Sequence, residues 1–321
     1  MTRQRPDRTV APMLNTTEII EAHGLCKRFG ARPAVTDVDL TVPAGCAFGF
    51  LGHNGAGKTT FIRMLVGLTR PDAGRMQIRG MAVPQQRAAA LARVGAIVEE
   101  PHFHGHLTGR ENLRVIAAVR GPEAFGRIEG ALARVGLSDR AGDRVKTYSQ
   151  GMRQRLGVAR CLLADPELLI LDEPMNGLDP GGILEFREMI GRLVGEGRTV
   201  FLSSHLLDEV EKTCDAAAVI DGGRVIAQGP ISALIGEGGS KLEIGCEDPR
   251  AALDLLDGHP AIADAHQISD GLRLTLVNGD GTASVNAKLV QAGVAVYRLK
   301  PVRESLEQRF LEMTTRVGGD Q

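Results

Sequence analysis

One glycine-rich stretch, residues 52–60, constrains this chain more than any other. It reads Gly-His-Asn-Gly-Ala-Gly-Lys-Thr-Thr and fits the phosphate-binding pattern G-x-x-x-x-G-K-[ST] at every fixed position. The glycines let the backbone turn sharply, so that its N–H groups face the phosphates. Lys58 supplies a cation for the β- and γ-phosphates, and the Thr59 hydroxyl is a predicted Mg²⁺ ligand. The predicted nucleotide-binding residues here are Gly52, His53, Asn54, Gly55, Ala56, Gly57, Lys58, Thr59 and Thr60.

The sequence around this loop has the pattern that such a loop requires. Residues 46–51 form a short apolar run, as expected for a buried parallel strand. Residues 60–68 follow with an apolar helical face. The loop therefore lies between a strand and a helix N-terminus, where the helix dipole also favours anions.

The length and composition predict an ordinary globular protein with more than one core. A chain of 321 residues is long enough for two domains, and a formal net charge of −1 gives no indication of nucleic-acid binding. Five scattered cysteines without a C-x-x-C pair favour reduced thiols in a cytosolic protein. No apolar stretch approaches the ~20 residues that a membrane-spanning helix needs.

The order of strand and helix patterns predicts an α/β fold. Three apolar runs, at 46–51, 168–171 and 199–203, alternate with helices and indicate a parallel sheet. The alternating pattern at 38–42 indicates an antiparallel sheet, and residues 99–164 read as mostly helical. The predicted fold is thus a P-loop NTPase with antiparallel β and helical subdomains.

The domain boundaries follow from shifts in composition. We expect a disordered tail over residues 1–16, without the apolar segment of a signal peptide, and a nucleotide-binding domain over 17–230. A linker is predicted over 231–240, centred on a glycine-rich run. Residues 241–321 predict a small α+β accessory domain of order βαββαβ, closed by a further helix.

Two adjacent carboxylates extend the prediction from binding to hydrolysis. Asp172 ends the second apolar strand, where it can hold Mg²⁺ through water. Glu173 follows at once and can orient or deprotonate an attacking water. The sequence therefore predicts a nucleotide-binding site with Lys58, with Glu173 to activate water, and with a metal bound near Thr59 and Asp172.

Further motifs resemble those of a known family, the ATP-binding subunits of ABC transporters. Residues 148–152, Tyr-Ser-Gln-Gly-Met, resemble its signature segment, usually written Leu-Ser-Gly-Gly-Gln. Residues 176–179 resemble its D-loop, and His205 resembles its switch histidine. The order and spacing of the motifs match the family over residues 17–230, and the variants are similar to drug- and bacitracin-type exporter subunits.

The resemblance implies both a mechanism and roles for individual residues. Two such domains meet head to tail, as a homodimer in the ATP state, with each ATP held between one phosphate loop and the partner's signature segment. It implies that Phe29 stacks on adenine, that Ser149, Gly151 and Asp179 serve the ATP sites, and that His205 contacts the γ-phosphate. It also implies a separate membrane permease as partner, and a location at the cytoplasmic face of the cell membrane.

The sequence departs from the family pattern at a few positions. Glu99 stands where the family usually has a glutamine that can ligate Mg²⁺; an ionised carboxylate can still ligate the metal, but it cannot donate a hydrogen bond. Gln150 replaces a glycine and Met152 a glutamine in the signature segment. Because Ser149 and Gly151 remain, we expect activity to survive.

The remaining features leave alternatives open. The run His102, His104 and His106 could bind zinc, but it lies where the family's ATPases contact their membrane partner. An importer subunit, or a soluble ATPase not linked to transport, would carry the same phosphate loop. A regulatory module that uses ATP only as a switch is disfavoured by the intact catalytic set. We expect ATP and Mg²⁺ as ligands, no nucleic-acid partner, and export of a drug, antibiotic or other amphipathic compound.

Overall fold

The computed structural model describes residues 17–235, 241–277, 281–302 and 305–317. The chain divides into two compact units, Met1–Gln228 and Gly229–Gln321. The predicted tail, residues 1–16, lies outside the described residues, as does the glycine-rich part of the predicted linker, 236–240. None of the helices within the described ranges is both long and apolar enough to cross a membrane.

The elements alternate as the sequence pattern predicts. The strands are β1 (Glu18–Phe29), β2 (Arg32–Pro43), β3 (Ala47–Leu51), β4 (Ala73–Ile78), β5 (Met81–Val83), β6 (Val94–Ile97), β7 (Leu168–Leu171), β8 (Thr199–Ser204), β9 (Ala216–Asp221), β10 (Arg224–Pro230), β11 (Lys241–Cys246), β12 (Ile262–Ile268), β13 (Gly271–Leu276) and β14 (Val296–Val302). The helices are α1 (Lys58–Leu65), α2 (Arg87–Ala90), α3 (Gly109–Arg120), α4 (Pro122–Gly126), α5 (Ile128–Arg134), α6 (Gln150–Leu162), α7 (Pro180–Gly195), α8 (Leu207–Thr213), α9 (Ile231–Ile235), α10 (Pro249–Leu256), α11 (Thr282–Gln291) and α12 (Leu306–Val317).

A six-stranded sheet forms the centre of the first unit, in the order β10-β9-β3-β8-β7-β6. Strand β3 runs parallel to β8 and β9, and β7 runs parallel to β8 and β6. Every residue of β3 and β7 is buried, which explains why both strands are continuous apolar runs. The predicted parallel sheet is confirmed.

The parallel arrangement brings the chemistry-bearing residues to one edge of this sheet. The phosphate loop follows β3, Asp172 follows β7, His205 follows β8 and Glu99 lies two residues beyond β6. Because parallel strands all end at the same edge, residues far apart in sequence become neighbours there. Ligands of such sheets bind in the crevice at that edge.

An aromatic cluster fixes the first helix against the sheet. Phe61 of α1 packs on Phe50 of β3 with ring centroids 4.9 Å apart, and Phe50 lies 5.6 Å from Phe201 of β8. All three side chains are buried. Aromatic pairs of this kind contribute roughly 0.5–1.5 kcal/mol beyond the area they bury. The cluster sets the direction of α1 and therefore the position of the loop that precedes it.

The two remaining parts of the first unit match the predicted subdomains. Strands β2-β1-β4-β5 form an antiparallel sheet, and the phenylalanine predicted to stack on adenine, Phe29, is the last residue of β1. Helices α3 to α6 lie between β6 and β7 and supply the predicted helical segment.

The second unit has the predicted βαββαβ order. Its sheet, β12-β13-β11-β14, is antiparallel throughout. Leucines from β11, β13 and the two helices α10 and α11 form a separate apolar core. The predicted linker begins with a short helix, α9, which belongs to this unit. The α/β fold with a small α+β C-terminal part is therefore confirmed.

Candidate nucleotide-binding site

The phosphate loop takes a backbone path that only glycine adopts easily. Gly55 and Gly57 have φ angles of 86° and 109°, in the region that disfavours side chains. A Cβ atom at Gly57 would clash with the carbonyl oxygen of Ala34 on β2. The loop thus lies directly against the antiparallel sheet. The end of β1 therefore lies near the predicted phosphate site.

Lys58 folds back over the loop that precedes it. Its ammonium group donates to the carbonyl oxygens of Gly52, at 2.6 Å, and His53, at 3.1 Å. It also forms an ion pair with the Glu173 carboxylate, 3.0 Å from Nζ to Oε1. The side chain is only 5% exposed. A buried ammonium group needs such partners, because desolvation of an unpaired charge costs several kcal/mol.

A serine on β8 holds the carboxylate of Asp172 and the backbone of Glu173. The Ser203 hydroxyl donates to Asp172 Oδ1 at 2.6 Å, and its oxygen accepts from the backbone N–H of Glu173 at 2.8 Å. The sequence reasoning missed Ser203. The available signal was a hydroxyl residue at the end of a parallel strand, the same kind of position that Asp172 occupies.

The surroundings of Asp172 suit a divalent cation. The carboxylate is 4% exposed. Within the described residues, no lysine, arginine or histidine pairs with it. A buried carboxylate without a cationic partner is costly, and hard cations such as Mg²⁺ prefer oxygen ligands. The donor set of Asp172 and Thr59 therefore fits the predicted metal.

Glu173 lies at the centre of the site in a strained conformation. Its φ angle of 47° places it in the left-handed region, which costs a non-glycine residue about 1–3 kcal/mol. One carboxylate oxygen contacts Lys58, and the other lies 2.9 Å from Nδ1 of His205. The structure thus brings together all three predicted catalytic residues, which follow three different strands.

One cavity of about 350 Å³ opens at this place. It is lined by the loop, by the end of β1 and by the catalytic carboxylate: Phe29, Arg32, Ala34, Asn54, Gly55, Gly57, Lys58, Thr59, Thr60 and Glu173. The Phe29 ring is 53% exposed, with the Lys27 ammonium 5.5 Å from its centroid. An aromatic face at one end and a phosphate loop at the other match the two ends of ATP. Sequence reasoning also missed Arg32, which adds a cation to this lining.

Glu99 forms an ion pair with Arg63 that the sequence analysis did not predict. Its φ angle is 63°, and its carboxylate forms an ion pair with Arg63, one helical turn beyond Thr59 on α1. The side chain is 64% exposed. Arg63 compensates the negative charge that distinguishes Glu99 from a glutamine. The contact between Glu99 and the metal stays a prediction, and in the structure this carboxylate pairs with Arg63.

The signature segment forms the N-terminus of α6. Ser149 is the N-cap residue, and its hydroxyl accepts from the backbone N–H of Met152 at 3.2 Å. Tyr148 anchors the segment from inside, since its buried hydroxyl donates to the carbonyl of Arg140 at 2.7 Å. Burial raises the pKa of Tyr148 above its usual value. The first turn of α6, including Gly151, therefore presents a helix N-terminus of the type that binds anions.

The predicted D-loop contacts this segment within the same chain. Asp179 caps α7, with its carboxylate accepting from the N–H of Gly182 at 3.1 Å. The side-chain amide of Gln150 donates to the carbonyl of Asn176 at 3.0 Å. The structure thus places Gly151 beside Ser149 and beside Leu178, the residue before Asp179, and none of these residues lines the cavity.

Known sequences that are similar to this chain are ATP-binding proteins of ABC transporters. The sequence profile of the family described as ABC transporter matches residues 35–176. An uncharacterized ABC transporter ATP-binding protein of Bacillus subtilis, YhcH, is 40% identical over 92% of this chain and 96% of its own length. The bacitracin transport ATP-binding protein BcrA of Bacillus licheniformis is 38% identical over 94% of this chain and 98% of its own length.

A solved structure has the same fold. It is described as the structure of the ATP-binding subunit of an ABC transporter, and it is 30% identical to this chain. The superposition has a TM-score of 0.60 and covers 68% of this chain and 92% of the other.

Removing the loop cation tests the binding site. We expect Lys58→Ala to weaken ATP binding by about 100-fold or more, since charge-assisted hydrogen bonds to phosphate contribute about 1.5–3 kcal/mol each. Titration with a fluorescent ATP analogue measures the affinity. Lys212→Ala is the matched control, because Lys212 lies exposed on α8 in a local ion pair with Asp208. Undiminished binding by the Lys58 variant would contradict the assignment.

Glu99 allows a test of the charge near the phosphates. We expect Glu99→Gln to leave Mg²⁺·ATP affinity unchanged or to tighten it by up to about five-fold, because it removes a negative charge that is largely screened at this exposure. Isothermal titration with Mg²⁺·ATP provides the measurement. Clearly weaker binding would mean that the carboxylate itself ligates the metal. Arg63→Met, which frees Glu99 from its partner, serves as the comparison.

Proposed function

The chain belongs to the ATP-binding subunits of ABC transporters, a family of ATPases, and on that premise we propose that it powers a separate membrane permease that exports a drug, antibiotic or other amphipathic compound. The relative BcrA, whose name records bacitracin transport, supports this class of cargo. Its similarity extends over both units of this chain and not only over the phosphate loop.

One observation supports the ATPase mechanism: Lys58 and Glu173 line a cavity together with Phe29 and the phosphate loop, and His205 contacts the same Glu173 carboxylate. Adenine stacks on the Phe29 ring at one end of this cavity. The loop N–H groups and Lys58 bind the phosphates at the other end. The γ-phosphate then lies beside the carboxylate that is placed to activate water.

ATP changes the partners of Glu173. In the structure, Lys58 and His205 each contact one oxygen of this carboxylate. When phosphates enter the loop, Lys58 turns towards them, because a polyanion attracts the ammonium group more strongly than one carboxylate does. Glu173 then has a free oxygen to accept the proton of an attacking water, while His205 contacts the γ-phosphate.

Mg²⁺ completes the site when bound. Thr59 and Asp172 would hold it, and its charge would neutralise the β- and γ-phosphate oxygens. Ser203 keeps the Asp172 carboxylate in place through its 2.6 Å hydrogen bond.

Two copies of this chain form the active state. The α6 N-terminus lies in a separate cluster from the cavity, and it offers an anion site for the ATP bound by a second copy. A single copy therefore lacks part of the stabilisation that hydrolysis requires. Losing one preorganised donor typically raises a barrier by about 3 kcal/mol. Dimerisation with ATP thus gates hydrolysis, and hydrolysis reopens the dimer.

A groove in the helical segment provides a surface for the permease. This groove of about 300 Å³ is lined by His102, Phe103, His104, Asn112, Val115, Ile116 and Arg160. The buried Asn112 side chain holds the His104 backbone through hydrogen bonds of 2.9 Å and 3.1 Å. These hydrogen bonds fix one wall of the groove, and its lining combines apolar side chains such as Phe103 and Ile116 with Arg160. Binding there would hold the protein at the cytoplasmic face of the membrane, with the C-terminal unit as a regulatory or dimer-contact domain.

Substitution of the proposed base tests the dimer. We expect Glu173→Gln to accumulate an ATP-bound dimer, because it keeps the shape of the side chain but removes its ability to accept a proton. Size-exclusion chromatography with saturating ATP and Mg²⁺ detects the shift in mass. Wild type in ADP provides the monomeric control. A variant that stays monomeric with ATP would contradict the two-copy mechanism.

Capture from membranes tests the partner. A photo-crosslinking residue at His104, in the groove, should capture one multi-span membrane protein from solubilised native membranes. The same crosslinker at the exposed Lys212 on α8 provides the control for random contact. Recovery of ribosomal or other soluble proteins at His104, or equal capture at both positions, would overturn the transport proposal while leaving the ATPase assignment intact.

A further inference from the structure

The side chain of Gln150 joins the two motifs that flank each ATP in the proposed dimer. Its amide donates to the carbonyl oxygen of Asn176 at 3.0 Å. The backbone at Gly177 passes close to the same carboxamide, and a Cβ there would lie 2.5 Å from its nitrogen and 2.7 Å from its oxygen. With a φ angle of 70°, Gly177 is also in a conformation that suits glycine. The contact is therefore tightly packed on both sides.

The D-loop connects this contact directly to the catalytic carboxylate. The N–H of Asn176 donates to the carbonyl oxygen of Glu173 at 3.1 Å, which closes a short turn. The N–H of Leu178 donates in turn to Met175 at 3.3 Å. Glu173 itself holds a strained left-handed conformation that its surroundings must maintain. A hydrogen bond to Asn176 restrains the turn in which Glu173 lies.

Gln150 also belongs to the signature segment, because it is the first residue of α6 and follows Ser149. Ser149 and the first turn of α6 are the groups proposed to bind the ATP of the second copy. One side chain therefore links a group that senses the partner's nucleotide to a turn that positions the chain's own catalytic carboxylate.

We propose that Gln150 is a positioning residue that couples the two ATP sites of the dimer within one chain, so that nucleotide held by its signature segment orders its own Glu173. The inference rests on the proposed two-copy mechanism. A glycine, which the family pattern has at this position, has no side chain to make this link. Coupling through Gln150 is thus a property of this sequence, and it uses a donor that a carboxylate of the same shape lacks.

Mixed dimers separate this role from direct contact with the partner's ATP. Differently tagged full-length subunits are combined so that one carries Glu173→Gln and only the other can hydrolyse ATP. Gln150→Glu, which keeps the size but removes the donor, is then placed either in the subunit with intact Glu173 or in the opposite subunit. Single-turnover hydrolysis of bound ATP gives the rate of the one working site.

We expect at least a five-fold lower rate when Gln150→Glu lies in the same chain as the intact Glu173. The rate should change less than two-fold when it lies in the opposite chain, whose signature segment faces the working site. A loss only in the opposite chain, or equal losses in both, would overturn the proposal.

The homodimer supplies a second measurement. Gln150→Glu should lower kcat with the KM for ATP unchanged, and Gln150→Gly should do the same, while ATP-dependent dimerisation of the Glu173→Gln background persists. A raised KM with unchanged kcat would overturn the coupling role alone. If Glu173→Gln forms no dimer with ATP, the proposed function fails as well, so the two failures are distinguishable.

Discussion

The ion pair between Lys58 and Glu173 connects the parts of the molecule on which function depends. Lys58 begins α1 after β3, and Glu173 follows β7, two strands away in the same sheet. The pair is possible only because parallel strands end at one edge and because the buried aromatic cluster fixes α1. The ion pair also gives the buried Lys58 ammonium group a partner while no phosphate is bound. A bound triphosphate attracts this group more strongly than one carboxylate does.

The strain at Glu173 fits this arrangement. A left-handed conformation costs free energy unless neighbouring contacts maintain it, and here they come from several elements. Ser203 accepts from its N–H, His205 and Lys58 contact its carboxylate, and Asn176 donates to its carbonyl. Three of these contacts come from residues of predicted motifs, and Ser203 adds a contact that no motif predicted. A change in any of them would alter how Glu173 is held.

Two of the residues that depart from the family pattern, Glu99 and Gln150, form side-chain contacts in the structure. Glu99 carries a negative charge where the family pattern has a neutral glutamine, and Arg63 on α1 balances it. Gln150 replaces a glycine, and its amide finds the carbonyl of Asn176 beside a glycine that leaves room for it. Neither pairing follows from a motif, because the partners lie 36 and 26 residues away along the chain.

The sequence by itself determined the fold class, the presence of a parallel sheet at the core and the identity of the phosphate loop, because hydrophobic periodicity and the backbone needs of glycine act over short distances. It also placed Asp172, Glu173 and His205 at strand ends. Only the tertiary structure decided which side chains meet there. Ser203, Arg32 and the partners of Glu99 and Gln150 depend on the packing of separate strands and helices, and no local pattern encodes those distances.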